Sequence, residues 1–291
     1  MGLAANCHRV IKEKSPLPPN IDSRLFIPIA DYLRDVTAAV IGAWAADEAK
    51  TRPTAARLAW RLLKGFLGWC SEQAEYADVL PPQNPVKAKA VREVLGKAKV
   101  KQHVLQREQL TVWFAAVRQL SSPMAAAYLQ TLLLTGARPG EVLSLRWEDV
   151  NAKWKGLTIR DKVEGERVIP LTPYVAQLLS ALPRVNEWVF ASPSRDEELA
   201  DKTMSKPHKQ HESACAVAGI DELTLHGLRR SFKSLTEWLE IPAGVVAQVM
   251  GHKPSATAEK HYTVRPLDLL RLHHEKIEVI WPPKSGRHEV C

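Results

Sequence analysis

Apolar residues recur at helical spacing through most of the chain. Val36, Val40, Ile41 and Trp44 predict a helix that begins near Asp35. TRPTAARLAWRLLKGFLGWC follows, with Pro53 suited to a first helical turn. Its apolar stripe, Leu58, Leu62, Phe66 and Trp69, is expected to face a core, while Arg57, Arg61 and Lys64 form a ridge on another face. PPQNP at 81–85 interrupts the pattern, and the basic run 87–103 reads as a short helix and a linker. REQLTVWFAAVRQL and SPMAAAYLQTLLLTGA predict two further amphipathic helices. The period then shortens. GLTIRD and ERVIPL, joined by a turn at KVEG, read as a β-hairpin. Beyond EWVFAS the pattern is helical again to about Trp281. The expected fold is mainly α with a small antiparallel β-sheet. Its expected parts are a flexible tail over 1–25, a helical domain over 26–100, and a second domain over 101–291 that closes on a helix over 265–281.

Charge narrows the class. The chain has 291 residues and a net charge of +8, which favours an acidic partner, most often nucleic acid. The first hundred residues hold 15 Lys+Arg against 10 Asp+Glu, leaving 25 against 22 in the rest, so the excess leans N-terminal. Cys7, Cys70, Cys215 and Cys291 are far apart without metal-ligand spacing and read as free thiols. MGLAANCHRV has no apolar h-region, and the run MAAAYLQTLLLTGA is too short to cross a bilayer. A cytoplasmic protein with no membrane partner is expected.

Four stretches carry candidate chemistry. In TGARPGEV, Arg138 stands at a helix entrance with Glu141 three residues on, so a carboxylate can aim a guanidinium. In LTLHGLRRSF, His226 and Arg229 share a helical face, an arrangement suited to an anion whose reaction moves a proton. Lys162 opens the hairpin turn. MGHKPSATAEKHY places Gly251-His252 and then Tyr262 in polar surroundings. Each alone also fits a structural or solvated residue. The ridge of Arg57, Arg61 and Lys64 fits either a phosphate row or a solvated face.

In order, Arg-x-x-Glu, hairpin Lys, His-x-x-Arg, Gly-His and a late Tyr resemble the tyrosine recombinase (phage integrase) family, over residues 30–264. The resemblance implies a helical core-binding-like domain followed by a recombinase catalytic domain. It implies that Arg138 and Arg229 clamp the scissile phosphate and that Lys162 protonates the leaving 5′-oxygen. His226 would share acid–base work, His252 would bond a non-bridging oxygen, and Tyr262 would be the nucleophile. Glu141 would orient Arg138 from behind. Arg52, Thr54, Arg57, Arg61 and Lys64 would face DNA. No cofactor and no metal is expected. The implied partners are double-stranded DNA at attachment or core sites, a homo-tetramer on that DNA, and accessory DNA-bending or directionality factors. A type IB topoisomerase-like enzyme and a non-catalytic DNA-binding relative remain alternatives. His252 to Tyr262 spans ten positions, one more than in many members. About 25 residues precede the helical region, too few for the arm-binding domain of many integrases. The resemblance also implies that the C-terminal helix, with Leu269, Leu270, Ile277, Ile280 and Trp281, docks on a neighbouring protomer.

Overall fold

The computed structural model describes residues 33, 35–77, 80–81, 83–98, 102–161, 165–192, 201–252 and 265–280. The tail expected over 1–25 and Trp281 lie outside them. The chain divides into two compact units between Val100 and Lys101.

The first unit is helical: α1 (Ala38–Thr51), α2 (Pro53–Ser71), α3 (Ala74–Ala77) and α4 (Lys89–Leu95). Thr37 starts α1, its hydroxyl accepting from Val40 N. Pro53 ends it, because proline drives the residue before it out of helical geometry, and Arg52 sits at φ −132°, ψ 55°. Ile41 and Ala45 of α1, Ala56 and Leu67 of α2, and Val91 and Leu95 of α4 form the core with Leu33 and Val86. The stripe expected to face that core does not. Leu58, Leu62, Phe66 and Trp69 are 51%, 65%, 39% and 52% exposed. Helix α2 is apolar on two sides, and its smaller residues Ala56 and Cys70 are the ones buried, with Leu67 between them.

The second unit surrounds α6 (Pro123–Thr135), in which every residue from Ala125 to Thr135 is buried. Around it stand α5 (Leu110–Arg118), α7 (Pro139–Leu143), α8 (Pro173–Ser180), α9 (His208–Val217), α10 (Leu225–Glu237), α11 (Ala243–Met250) and α12 (Leu267–Ile280). A three-stranded antiparallel sheet runs in the order β1 (Val150–Asn151), β2 (Gly156–Asp161), β3 (Gly165–Pro170). Its register pairs Leu157 with Ile169 and Ile159 with Arg167. Leu157, Ile159 and Ile169 are buried, so one sheet face covers the helical core.

Helix α12 packs on its own unit, against β3, α8 and α11. In the single chain, the helix expected to dock on a neighbouring protomer is seated on its own unit. Leu270, His274 and Ile277, spaced i, i+4, i+7, are all buried. His274 Nε2 donates to Leu134 O at 2.8 Å. Glu278 accepts from Tyr174 N at 2.8 Å, from Val175 N at 3.1 Å and from the Thr172 hydroxyl, so its carboxylate satisfies the orphan donors at the start of α8. Just before α12, Arg265 O accepts from Gln248 Nε2 of α11 at 2.9 Å.

Candidate active site

Arg138 follows the sharp end of α6. Gly136 caps that helix at φ +59°, and a Cβ there would lie 2.3 Å from the Phe232 ring. Only glycine tolerates both conditions. The close approach places α10 beside the Arg138 loop, and Arg229 of α10 donates to Gly136 O at 2.5 Å. Pro139 opens α7, and Glu141 is buried in its first turn.

The Glu141 carboxylate receives four bonds. Oε1 accepts from Arg138 Nη1 at 2.7 Å and Arg167 Nη1 at 3.2 Å. Oε2 accepts from Arg138 N at 2.7 Å and Arg167 Nη2 at 2.8 Å. Burial alone would raise this carboxyl. The hydrogen bonds from Arg167 and from the Arg138 backbone, with the charges behind them, hold it below the ordinary carboxylate range. Arg138 Nη1 also meets Asp161 Oδ2 at 2.5 Å, at the end of β2.

Arg229 is almost wholly buried, and desolvation lowers its pKa to about 10, which leaves it charged at neutral pH. Partial desolvation lowers the His252 pKa, and the charges of Arg229, Lys233, Arg138 and Arg167 add to it. The His226 pKa falls chiefly by partial desolvation, then through Lys206, Arg230, Arg229 and His208. Both rings keep an open edge to solvent and favour the neutral form, in which one nitrogen donates and the other accepts.

The Gly-His pair now has a physical account. Gly251 ends α11 at φ +70°, and a Cβ on it would come within 2.7 Å of the Arg167 guanidinium. The next backbone N–H, that of His252, folds back to Ala247 O at 2.8 Å, which sets where the imidazole leaves the helix.

Arg138, Glu141, Arg229 and His252 thus belong to one cationic centre, and His226 borders it through Arg229. Lys162 and Tyr262 lie outside the described residues. Asp161 and Arg167 escaped the sequence reading, although a signal exists. Alternation along ERVIPL puts Arg167 on the same sheet face as buried Ile169, and an inward arginine requires an acid. Arg230, next to the His-x-x-Arg pair, donates to His103 O at 3.2 Å.

In the first unit, Thr54, Arg57 and Arg61 line an open cleft of about 740 Å³ together with Lys89, Arg92 and Lys97. Arg57 also donates to Leu95 O at 3.1 Å and closes the end of α4. Arg52 pairs with Glu48 at 2.5 Å, and Lys64 lies over the Trp60 ring at 5.6 Å. Lys89, Arg92 and Lys97 were missed as cleft residues because they sit in a run that reads as linker.

Residues 25–93 match the phage integrase core-binding domain, and residues 103–266 match the phage integrase family. The chain belongs to the phage integrase family of tyrosine recombinases. It is 48% identical over 253 residues to prophage integrase IntF of Escherichia coli (strain K12), an alignment that covers 84% of this chain and 53% of that protein. The chain therefore spans about half the length of that curated relative. Its fold is shared with lambda integrase. A dimer of lambda integrase bound to a COC′ core site matches with TM-score 0.62 and 17% identity, covering 90% of this chain and 96% of that one. A lambda integrase tetramer bound to a Holliday junction matches with TM-score 0.62 and 16% identity over 87% and 77% of the two chains.

Proposed function

We propose that this protein is a site-specific DNA recombinase that cuts and rejoins strands through a 3′-phosphotyrosine, for the integration and excision of a mobile element. The observation that carries the reading is the convergence of Arg138, Arg229 and His252, with Glu141 buried behind Arg138. A phosphodiester resists attack because it is anionic and its leaving alkoxide is poor. Two fixed guanidinium groups neutralise the charge that grows on the phosphoryl oxygens. His252 donates to a non-bridging oxygen, and His226 shares proton transfer.

In the proposed step, the Tyr262 phenol gives its proton to the neutral His226 imidazole, and its oxygen attacks phosphorus. The P–O5′ bond breaks as the new P–O bond forms. Lys162 gives its proton to the departing 5′-oxygen. One phosphodiester is exchanged for another, so a free 5′-hydroxyl can reverse the step without ATP. Tyrosine has an ordinary pKa of about 10, and a cationic surround favours its phenolate.

Double-stranded DNA at core or attachment sites is the proposed substrate. The cleft of the first unit supports this, since Arg61, Lys89, Arg92 and Lys97 offer cations to phosphates. By extension from the lambda integrase complexes, we take the working assembly to be a homo-tetramer on paired sites, helped by DNA-bending or directionality factors, in the cytoplasm. Among the described residues no helix is long and apolar enough to cross a membrane.

The test is covalent trapping on a nicked suicide duplex, followed by mapping of the modified residue. Tyr262→Phe is expected to bind DNA and form no adduct. An undiminished adduct in that variant would move the nucleophile elsewhere, and no adduct from the wild-type chain would favour a non-catalytic DNA binder.

A further inference from the structure

The Arg167 side chain joins three elements that no other described residue joins in this way. From β3 its fork grips both oxygens of Glu141 on α7, at 3.2 and 2.8 Å. Its Nε donates to Val249 O, in the last turn of α11, at 3.1 Å. Its guanidinium also fills the space where Gly251 lacks a Cβ. Glu141 leads directly to Arg138, and Gly251 leads directly to His252.

We infer that Arg167 is a positioning residue for strand cleavage: it fixes the Arg138 arm of the site relative to the His252 arm. The inference rests on the recombinase reading above. Two arms of a phosphate site converge only if something sets the separation between them. Here the planar fork holds Glu141 in one orientation, and so fixes the Arg138 guanidinium. The Nε–H of the same rigid group ties the end of α11. Lysine cannot reproduce this, because a single ammonium cannot hold a carboxylate in two places and reach Val249 O in a third direction. Arg167 itself faces Glu141 and the α11 terminus, so it acts through these residues and not by touching DNA.

Arg229 and Arg138 both carry charge near this cluster, yet Arg167 is not simply their counterpart. Its charge is matched by Glu141, which is 5% exposed, and it is itself 17% exposed. A guanidinium spent on a buried carboxylate and a helix carbonyl contributes geometry. Displacement of a reacting group by about 1 Å can slow a reaction on the order of a hundredfold.

The experiment measures adduct formation on the nicked suicide duplex, half-site binding by gel shift, and thermal melting, all with the full chain. Arg167→Ala is expected to bind the half-site within about threefold of wild type and to form the adduct about a hundredfold more slowly. Guanidinium at millimolar concentration should restore a tenth or more of the lost rate in Arg167→Ala and none in Arg167→Lys, in which the cavity is filled. Adduct formation in Arg167→Ala within threefold of wild type overturns the inference. So does a slow variant that guanidinium does not rescue, which marks Arg167 as a stabilising residue only. If Arg167→Ala does not fold, Arg167→Lys decides, with at least a tenfold loss expected at unchanged binding and an unaltered rate overturning the inference. Failure of the wild-type chain to form any adduct would instead strike the recombinase reading.

Discussion

Replacing Glu141 by glutamine tests how the site is held together. The substitution keeps the shape and removes the charge. Where the carboxylate accepted four donors at 2.7–3.2 Å, an amide nitrogen would face two of them. Removing one partner of a buried ion pair costs about 3–5 kcal/mol, because the other charge stays buried without its counterion. The two arginines do not share that cost equally. Arg138 is 38% exposed and keeps Asp161 at 2.5 Å. Arg167 is 17% exposed and forms no other carboxylate pair among the described residues. The expected loss therefore sits at the lower end, about 3 kcal/mol. For a unit of this size that lowers Tm by roughly 6–12 °C. The pH dependence has a definite sign. The native Glu141 carboxyl lies below its unfolded value of about 4.3, so its stabilisation is full above that value. It is lost as pH falls through the depressed native pKa. Melting of wild type and Glu141→Gln followed by circular dichroism from pH 7 to 3 should show a gap that narrows in acid. A gap under about 1 kcal/mol at pH 7, or one that stays constant into acid, would refute the reasoning.

Other expectations follow from the same geometry. Arg229→Lys should bind a half-site normally and cleave at least about a hundredfold more slowly, since one lost donor to developing charge is worth about 3 kcal/mol; single-turnover cleavage within threefold of wild type would count against the role. Lys162→Ala should be slow on ordinary DNA and largely rescued when sulfur replaces the bridging 5′-oxygen, because that leaving group needs no proton; equal impairment on both strands would reject it as the acid. Arg61→Ala with Arg92→Ala should weaken DNA binding and reduce the salt slope by about one for each phosphate no longer neutralised, as read from titrations at several salt concentrations. A chain ending at Val264 should melt well below the full chain, because burial of Leu270 and Ile277 is worth about 1.5–3 kcal/mol each and the start of α8 would lose Glu278; an unchanged Tm would mean that α12 is not seated as described.

The parts of the site legible in the sequence are those set by local spacing. Arg138 and Glu141 lie one helical turn apart, and His226 and Arg229 do likewise, so periodicity places each pair without knowledge of the fold. Arg167 meets Glu141 across 26 positions and Val249 across 82, pairings that only tertiary packing creates. Asp161 meets Arg138 across 23. The hairpin was readable because GLTIRD and ERVIPL alternate, and the register then follows from buried Leu157, Ile159 and Ile169. Helix α2 shows where such reasoning fails. Periodicity reports that an apolar stripe exists, not which of two apolar sides turns inward. The bonds that seat α12 on its own unit were hidden for a different reason. Its buried stripe was visible, but His274 and Glu278, which bond it to Leu134 and α8, look like surface residues in a charged helix.

The bond from Gln248 to Arg265 limits what the proposed nucleophile can do. It fixes Arg265 to α11 one helical turn before His252. Two residues then separate Arg265 from Tyr262, and the three steps of chain make a leash of about 10 Å at full extension. While α12 stays seated, the chain can carry Tyr262 no further than that leash from Arg265. In the proposed mechanism, each protomer would then cut the DNA it holds. Handing the tyrosine to a neighbour would require stripping Leu270, His274, Ile277 and Glu278 from the second unit, so in the proposed mechanism the anchorage of one helix would choose between self-service and exchange.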